Sequence, residues 1–201
     1  MKYDPFLSVI IPTYNRQQLL TECLQCFKYQ SLDSSEYEVI IVNNNSTDYT
    51  ESVAKIFMES NPHLPIRYNI EYKQGLNEAR NKGLYAAKGY WVTYLDDDVL
   101  LEADYLENIV NTIKVFSYAT GFGGKIIPKY RNRPNWVTTF IESAFFSKMD
   151  KGEKFGEYGK SRIFGIGGFP FGANMTYQKG YLKSIGGFKS EYGRHPDLGS
   201  S

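Results

Sequence analysis

Short apolar runs alternate with amphipathic stretches through the first 117 residues of the chain. The run Leu7-Ser8-Val9-Ile10-Ile11, rich in β-branched residues and closed by Pro12, predicts a buried strand. Residues 16 to 28 then carry Leu19, Leu20, Cys23, Leu24 and Phe27 at helical spacing. The pattern repeats. Glu38-Val39-Ile40-Ile41-Val42 reads as a second strand, broken by Asn43-Asn44-Asn45, with Ser46, Thr47 and Asp48 offering N-caps to a helix running to about residue 59. Residues 66 to 72 predict a third strand, 75 to 87 a helix stopped by Gly89, 90 to 95 a fourth strand, and 102 to 116 a further helix. Inside the third helix Gly83 suits close packing on a sheet. The regular alternation ends near residue 118, after which 172 to 177 reads as one more strand and 179 to 185 as a short helix ended by Gly186-Gly187.

Strands that alternate with helices of ten or more residues specify an α/β fold: a mostly parallel, Rossmann-like central sheet with right-handed crossovers and helices on both faces. Ligands of such sheets sit beyond the carboxyl ends of the strands. The segments found there are Pro12-Thr13-Tyr14-Asn15, Asn43-Asn44-Asn45, Gln74-Gly75 and Asp96-Asp97-Asp98, all rich in polar groups.

The aspartate triplet is the feature with the most pointed chemistry. Three adjacent carboxylates after the core run Tyr90-Trp91-Val92-Thr93-Tyr94-Leu95 repel one another unless positive charge joins them. Mg²⁺ or Mn²⁺ suits the position, because such ions prefer oxygen ligands and keep coordination sites open for phosphate. In extended chain Asp96 and Asp98 point to one face and Asp97 to the other, so one pair can address a metal diphosphate together. A solvated acidic turn that caps the next helix is the competing reading.

Composition narrows the rest. The 201 residues suit one domain with a real core, hiding about 70% of its unfolded surface. With 23 basic and 22 acidic residues, the net charge of +1 excludes the global basic field that captures nucleic acid. Aromatics make up 16%, and from Tyr130 to Phe171 they interleave with Lys and Arg. That stretch suits an anionic acceptor or peripheral contact with a membrane, or is simply a loop. The N-terminal MKYDPFLSVIIPTYN lacks a signal-peptide pattern, and no apolar run reaches the eighteen or so residues of a membrane span. The expected location is the cytoplasm, up to the inner face of the membrane. Cys23 and Cys26 fall within a helical pattern and read as two buried, reduced thiols.

Five segments in order, SVIIPTYNR, VIIVNNNSTD, GLNEARNKGL, KGYWVTYLDDD and FGANMTYQKGYLKSIGGF, resemble the inverting family 2 glycosyltransferases of GT-A fold over nearly the whole chain. The resemblance implies a single GT-A domain over 1–201, with a nucleotide-sugar-binding half at 1–117 and an acceptor-binding half at 118–201. It implies inverting transfer of a sugar from a UDP, GDP or dTDP donor to a glycan or lipid-linked saccharide, assisted by Mg²⁺ or Mn²⁺. By position, Pro12, Tyr14 and Arg16 would border the base. Asn43 and Asn44 stand where the family usually has Asp-Asp, and Asn44 would face the base's hydrogen-bonding edge. Arg80 would lie near base or phosphate. Asp98 would ligate the metal directly, with Asp96 as a second metal candidate and Asp96 and Asp97 sharing ribose and water-mediated contacts. Lys125, Trp136 and Asn174 fall on the acceptor side. The family's acidic pair, which carries the general base, is expected just past Ser201, so the chain reads as C-terminally shortened, with Asp197 the only substitute base in view. A nucleotide-sugar-binding domain without activity is the non-enzyme alternative. A nucleotidylyltransferase fits less well, since the first strand lacks a glycine-rich phosphate loop.

Overall fold

The computed structural model describes residues 4–130, 132–138 and 172–192. Strand β1 (Leu7–Thr13) is buried at all seven positions, as is β2 (Tyr37–Asn43), the pattern of strands covered on both faces. With β3 (Ile66–Ile70) and β4 (Trp91–Leu95) they form the parallel part of the sheet. Two more strands, β5 (Gly121–Gly123) and β6 (Asn174–Gln178), complete it in the order β3-β2-β1-β4-β6-β5. β6 runs antiparallel to both of its neighbours. The sheet is therefore mixed at one edge. β5 is the element that periodicity does not reveal: three residues, Gly-Phe-Gly, are too few to show an alternation.

The connecting helices are α1 (Gln17–Gln25), α2 (Thr50–Ser60), α3 (Leu76–Ala86), α4 (Tyr105–Val115) and α5 (Lys179–Ser184). Their apolar faces divide between the two sides of the sheet. Leu20, Cys23 and Leu24 of α1, Ala54 and Phe57 of α2, and Leu106, Ile109, Val110 and Ile113 of α4 pack with Val9, Ile11, Val39 and Ile41. Ala79 and Leu84 of α3 and Leu182 of α5 pack with Ile10, Ile40, Val42, Val92 and Tyr94. Alternate strand residues thus serve opposite cores, the period of two carried into the packing. Gly83 does what its place in α3 predicts. A Cβ there would stand 2.3 Å from Ile10 Cγ2, so only glycine lets the helix approach β1 this closely.

Local chemistry sets the helix starts. Asp48 accepts from the backbone N–H groups of Thr50 (3.0 Å) and Gln17 (3.3 Å), serving the beginnings of two helices with one carboxylate; against its burial, the Thr50 hydroxyl and these N–H groups hold its pKa low. α4 begins at Tyr105, three residues later than the pattern suggests, because Gln30 reaches across: its amide nitrogen donates to the Glu102 carbonyl and its oxygen accepts from Leu106 N–H. Cys23 is buried as expected, but Cys26 is only half-buried, at the start of a 3-10 turn (Cys26–Tyr29). Both are free thiols, and burial pushes the Cys23 pKa far up, leaving it an inert packing group.

At the amino ends of the strands lies a buried charge. Glu38, 4% exposed, accepts from Ser8 Oγ at 2.8 Å, from the Lys88 N–H at 2.6 Å and from Arg67 Nη1 at 2.5 Å. Ser8 Oγ in turn accepts from Gly89 N–H, and Arg67 also donates to the Ala86 carbonyl. One carboxylate thereby ties β1, β2, β3 and the end of α3 together on the side of the sheet opposite the aspartates. Asp197 and the basic aromatic residues beyond Thr138 lie outside the described residues. Among the described residues, no helix is long and apolar enough to cross a membrane.

Candidate functional site

The parallel strands end almost level. Thr13 is in register with Asn43, and Asn43 with Ile70. Ile10 of β1 pairs with Tyr94 of β4, and continuing that register brings Thr13 beside Asp97. The two meet: Thr13 Oγ1 donates to Asp97 Oδ2 at 2.7 Å. Asp97 is 6% exposed, whereas Asp96 is half-buried and Asp98 open to solvent, so the middle carboxylate turns inward and its neighbours do not.

Burial pushes the Asp97 carboxyl up to about 6. The Thr13 hydrogen bond and the Arg16 charge pull against that, while the charges of Asp98 and Asp96 add to it. Two arginines answer the triplet. Arg16 Nη1 stands 2.9 Å from Asp98 Oδ2 and 3.6 Å from Asp97 Oδ1, and Arg80 Nη2 stands 3.9 Å from Asp96 Oδ1. Among the described residues, two guanidinium groups thus face the three carboxylates of the strand end.

The residues expected beside the base make the following contacts in this structure. Arg16 faces the acid triplet. Pro12 is buried within β1, and Tyr14, 37% exposed, is the first ring beyond the strand end. Asn43 and Asn44 are 2% and 5% exposed. Asn43 donates to Tyr68 Oη at 2.7 Å and accepts from Ser46 N–H at 2.9 Å. Asn44 spends both amide hydrogens on the carbonyls of Glu71 (3.0 Å) and Lys73 (2.8 Å) and accepts from Gly75 N–H at 2.8 Å. Asn44 thereby fixes the loop that leads into α3. The loops after β1 and β2 are laced together as well: Asn15, at φ 52°, accepts from Thr47 N–H, and its own N–H donates to Ser46 Oγ. Asparagine tolerates that left-handed backbone better than most residues.

On the other flank Asn174 pairs with Leu95 in register, which puts the start of β6 beside the aspartates. Its side chain is internal: Oδ1 accepts from Tyr105 Oη at 2.8 Å, and the amide donates to the Lys125 carbonyl at 3.2 Å. Lys125 and Trp136 have exposed side chains, Trp136 at 64%. The fold therefore brings together Arg16, Arg80, the aspartates and the start of β6 at Asn174, while the side chains of Asn43 and Asn44 hold the neighbouring loops. Two contributors were not singled out from sequence. Thr13 and Tyr105 become meaningful only once the register and the helix packing are known.

The family model for "Glycosyl transferase family 2" matches residues 8–186, the span that runs from the second residue of β1 to beyond β6 and holds all of these side chains. The chain belongs to glycosyl transferase family 2. Its curated relatives include a Campylobacter jejuni GalNAc(5)-diNAcBac-PP-undecaprenol beta-1,3-glucosyltransferase, 38% identical over 128 residues, which are 64% of this chain and 40% of that protein. Another is the glycosyltransferase AglE of Haloferax volcanii, 38% identical over 109 residues, 54% of this chain and 36% of that protein. The chain thus spans about two fifths of the length of these relatives.

Among solved structures the fold is similar to that of the mannosyltransferase PcManGT of Pyrobaculum calidifontis in complex with GDP-Man and Mn²⁺, with a TM-score of 0.69 at 22% identity, covering 94% of this chain and 49% of that one. It is also similar to S. aureus TarS 1-349 in complex with UDP, with a TM-score of 0.64 at 21% identity, covering 92% and 50%. The mixed α/β sheet is accordingly the GT-A architecture that the sequence resemblance implied.

The family implies a divalent cation, and the residues fit one of a particular kind. Among the described residues no three acidic, histidine or cysteine side chains converge into a cage. What the strand end offers is carboxylate oxygen, with Asp98 the most exposed. That suits an ion held by one or two carboxylates with phosphate and water completing its shell.

Proposed function

We propose that the chain carries the donor half of an inverting, metal-dependent glycosyltransferase that moves a sugar from a nucleoside-diphosphate donor to a saccharide acceptor. The single observation that carries this reading is the aspartate triplet at the carboxyl end of β4, with Asp97 held from behind by Thr13 and the outer carboxylates facing Arg16 and Arg80. Residues 1–117 form the nucleotide-sugar half and 118–201 the acceptor half. Asp98, with Asp96 beside it, is the ligand for Mg²⁺ or Mn²⁺. When bound, the cation supplies positive charge to the diphosphate as it leaves.

The chain's own groups do the rest. Asp97 fixes the triplet's backbone to β1, Arg16 and Arg80 balance the outer carboxylates, and Tyr14 lies where the base enters. Lys125, Trp136 and the strand end at Asn174 border the acceptor. Relatives and structural neighbours support both ends of the reaction. PcManGT was solved with GDP-Man and Mn²⁺, TarS 1-349 with UDP, and the Campylobacter relative is named for a PP-undecaprenol-linked acceptor. A lipid-linked acceptor would place the reaction at the cytoplasmic face of a membrane.

Thermal unfolding with UDP, GDP and dTDP, each with and without Mn²⁺, tests the donor site. At a hundredfold excess over Kd a ligand adds about 2.7 kcal/mol, which for a chain of this size raises Tm by roughly 5–10 °C. At least one nucleotide is expected to do so with Mn²⁺ and not without it. No stabilisation by any of the three removes the assignment.

A further inference from the structure

One face of α3 carries Asn77, Arg80, Asn81 and Leu84, at the spacing that stacks side chains along a helix. Two of these residues grip the chain beyond α5. Asn81 donates to the Phe188 carbonyl at 2.7 Å and accepts from Phe188 N–H at 2.9 Å, using one side-chain amide as a strand partner would use its backbone. Asn77 donates to the Lys189 carbonyl at 2.8 Å. The chain reaches them through two left-handed glycines, Gly186 at φ 87° and Gly187 at φ 70°. A Cβ on Gly187 would lie 2.6 Å from Asn81 Oδ1, so the tight turn and the asparagine fit each other.

This grip decides where the Phe188 ring lies. The ring meets Tyr94 edge-on, with centroids 5.0 Å apart, and the Arg80 guanidinium carbon lies 5.5 Å from its centroid. Arg80 is then held on three sides: the Phe188 ring, Asn77 Oδ1 at 3.2 Å and Asp96 at 3.9 Å. A planar cation stacked on an aromatic ring keeps its orientation better than one free in solvent.

We propose that Asn81 is a positioning residue for the donor site. By locking the backbone of Phe188 it fixes the ring that aims Arg80 at the acidic strand end, so that a side chain remote from the ligand sets the site's positive charge. The proposal rests on the reading of this cleft as a nucleoside-diphosphate site.

The test is a double-mutant cycle on nucleotide affinity, measured by isothermal titration of the chain with Mn²⁺ and whichever of UDP, GDP and dTDP binds tightest. Asn81→Ala is expected to weaken binding roughly three- to tenfold, and Phe188→Leu, which keeps the backbone grip and removes only the ring, to do nearly the same. In an Arg80→Ala background both effects should vanish, because the residue they act through is gone. Should Asn81→Ala not fold, Phe188→Leu carries the cycle alone. Losses that persist in full in the Arg80→Ala background, or variants that bind like the parent, overturn the positioning role while leaving the donor site standing. A parent chain that binds none of the three nucleotides removes the donor site and the proposal with it.

Discussion

Asp98→Ala is expected to abolish the metal-dependent part of nucleotide binding while leaving the fold almost untouched. Asp98 is exposed, and among the described residues its ion pair is with Arg16, joining side chains that are 46% and 44% exposed, a type of pair worth about 0–1 kcal/mol. Stability by urea titration should therefore change by less than about 1 kcal/mol. If Asp98 holds the cation, its loss removes an interaction of several kcal/mol with the diphosphate, a drop of roughly a hundredfold or more in affinity with Mn²⁺ present. The variant should then bind nucleotide equally weakly with and without metal. Asp97→Ala would be a poorer probe, because Asp97 is buried and bonded to Thr13, so that loss of the site and loss of local packing would be confounded.

The second large effect lies at the other end of the sheet. Glu38→Ala is expected to destabilise the chain by about 3 kcal/mol, at the low end of the 3–5 kcal/mol that breaking a buried ion pair costs. The low end applies because the Arg67 side chain, 37% exposed, can turn to water. The Ser8 hydroxyl and the Lys88 N–H also lose their acceptor in a buried place. The unfolding midpoint should fall by roughly 6–12 °C. Because the network is on the far side of the sheet from the aspartates, nucleotide affinity at low temperature should stay within about twofold of the parent. A Glu38→Ala chain as stable as the parent would mean that the three hydrogen bonds contribute nothing net.

These two residues also show what a sequence discloses. The acidic triplet was legible because its chemistry conflicts with its setting: nothing in a buried strand favours three carboxylates at its end, so they point to a ligand. Glu38 is as informative but easily passed over, since one glutamate in a run of valine and isoleucine looks like an edge residue until Arg67, 29 positions away on β3, is seen to meet it. The parallel strands and their helices were readable from periodicity, because each buries a full face. β5 was not, being held by its pairing to β6 and having no pattern of its own.

Within the site the limit is different. Position in a motif says which loop a residue belongs to and not where its side chain points. Sequence position does not show that the Asn44 amide holds the loop at residues 71 to 75. Nor does it show that the Arg16 guanidinium faces the aspartates, where negative charge is concentrated. Asn81 drew no notice at all. Its partner Phe188 is 107 residues away, and only the fold brings the two together.

The central claim is that the strand-end aspartates receive a cation and a diphosphate together. A crystal structure of the chain with Mn²⁺ and the tightest-binding nucleoside diphosphate, read by anomalous scattering at the manganese edge, tests it most directly. The account predicts one strong peak within about 2–2.5 Å of an Asp98 carboxylate oxygen and of a phosphate oxygen. A diphosphate bound away from the end of β4, or a manganese ion that touches none of Asp96, Asp97 and Asp98, would contradict it.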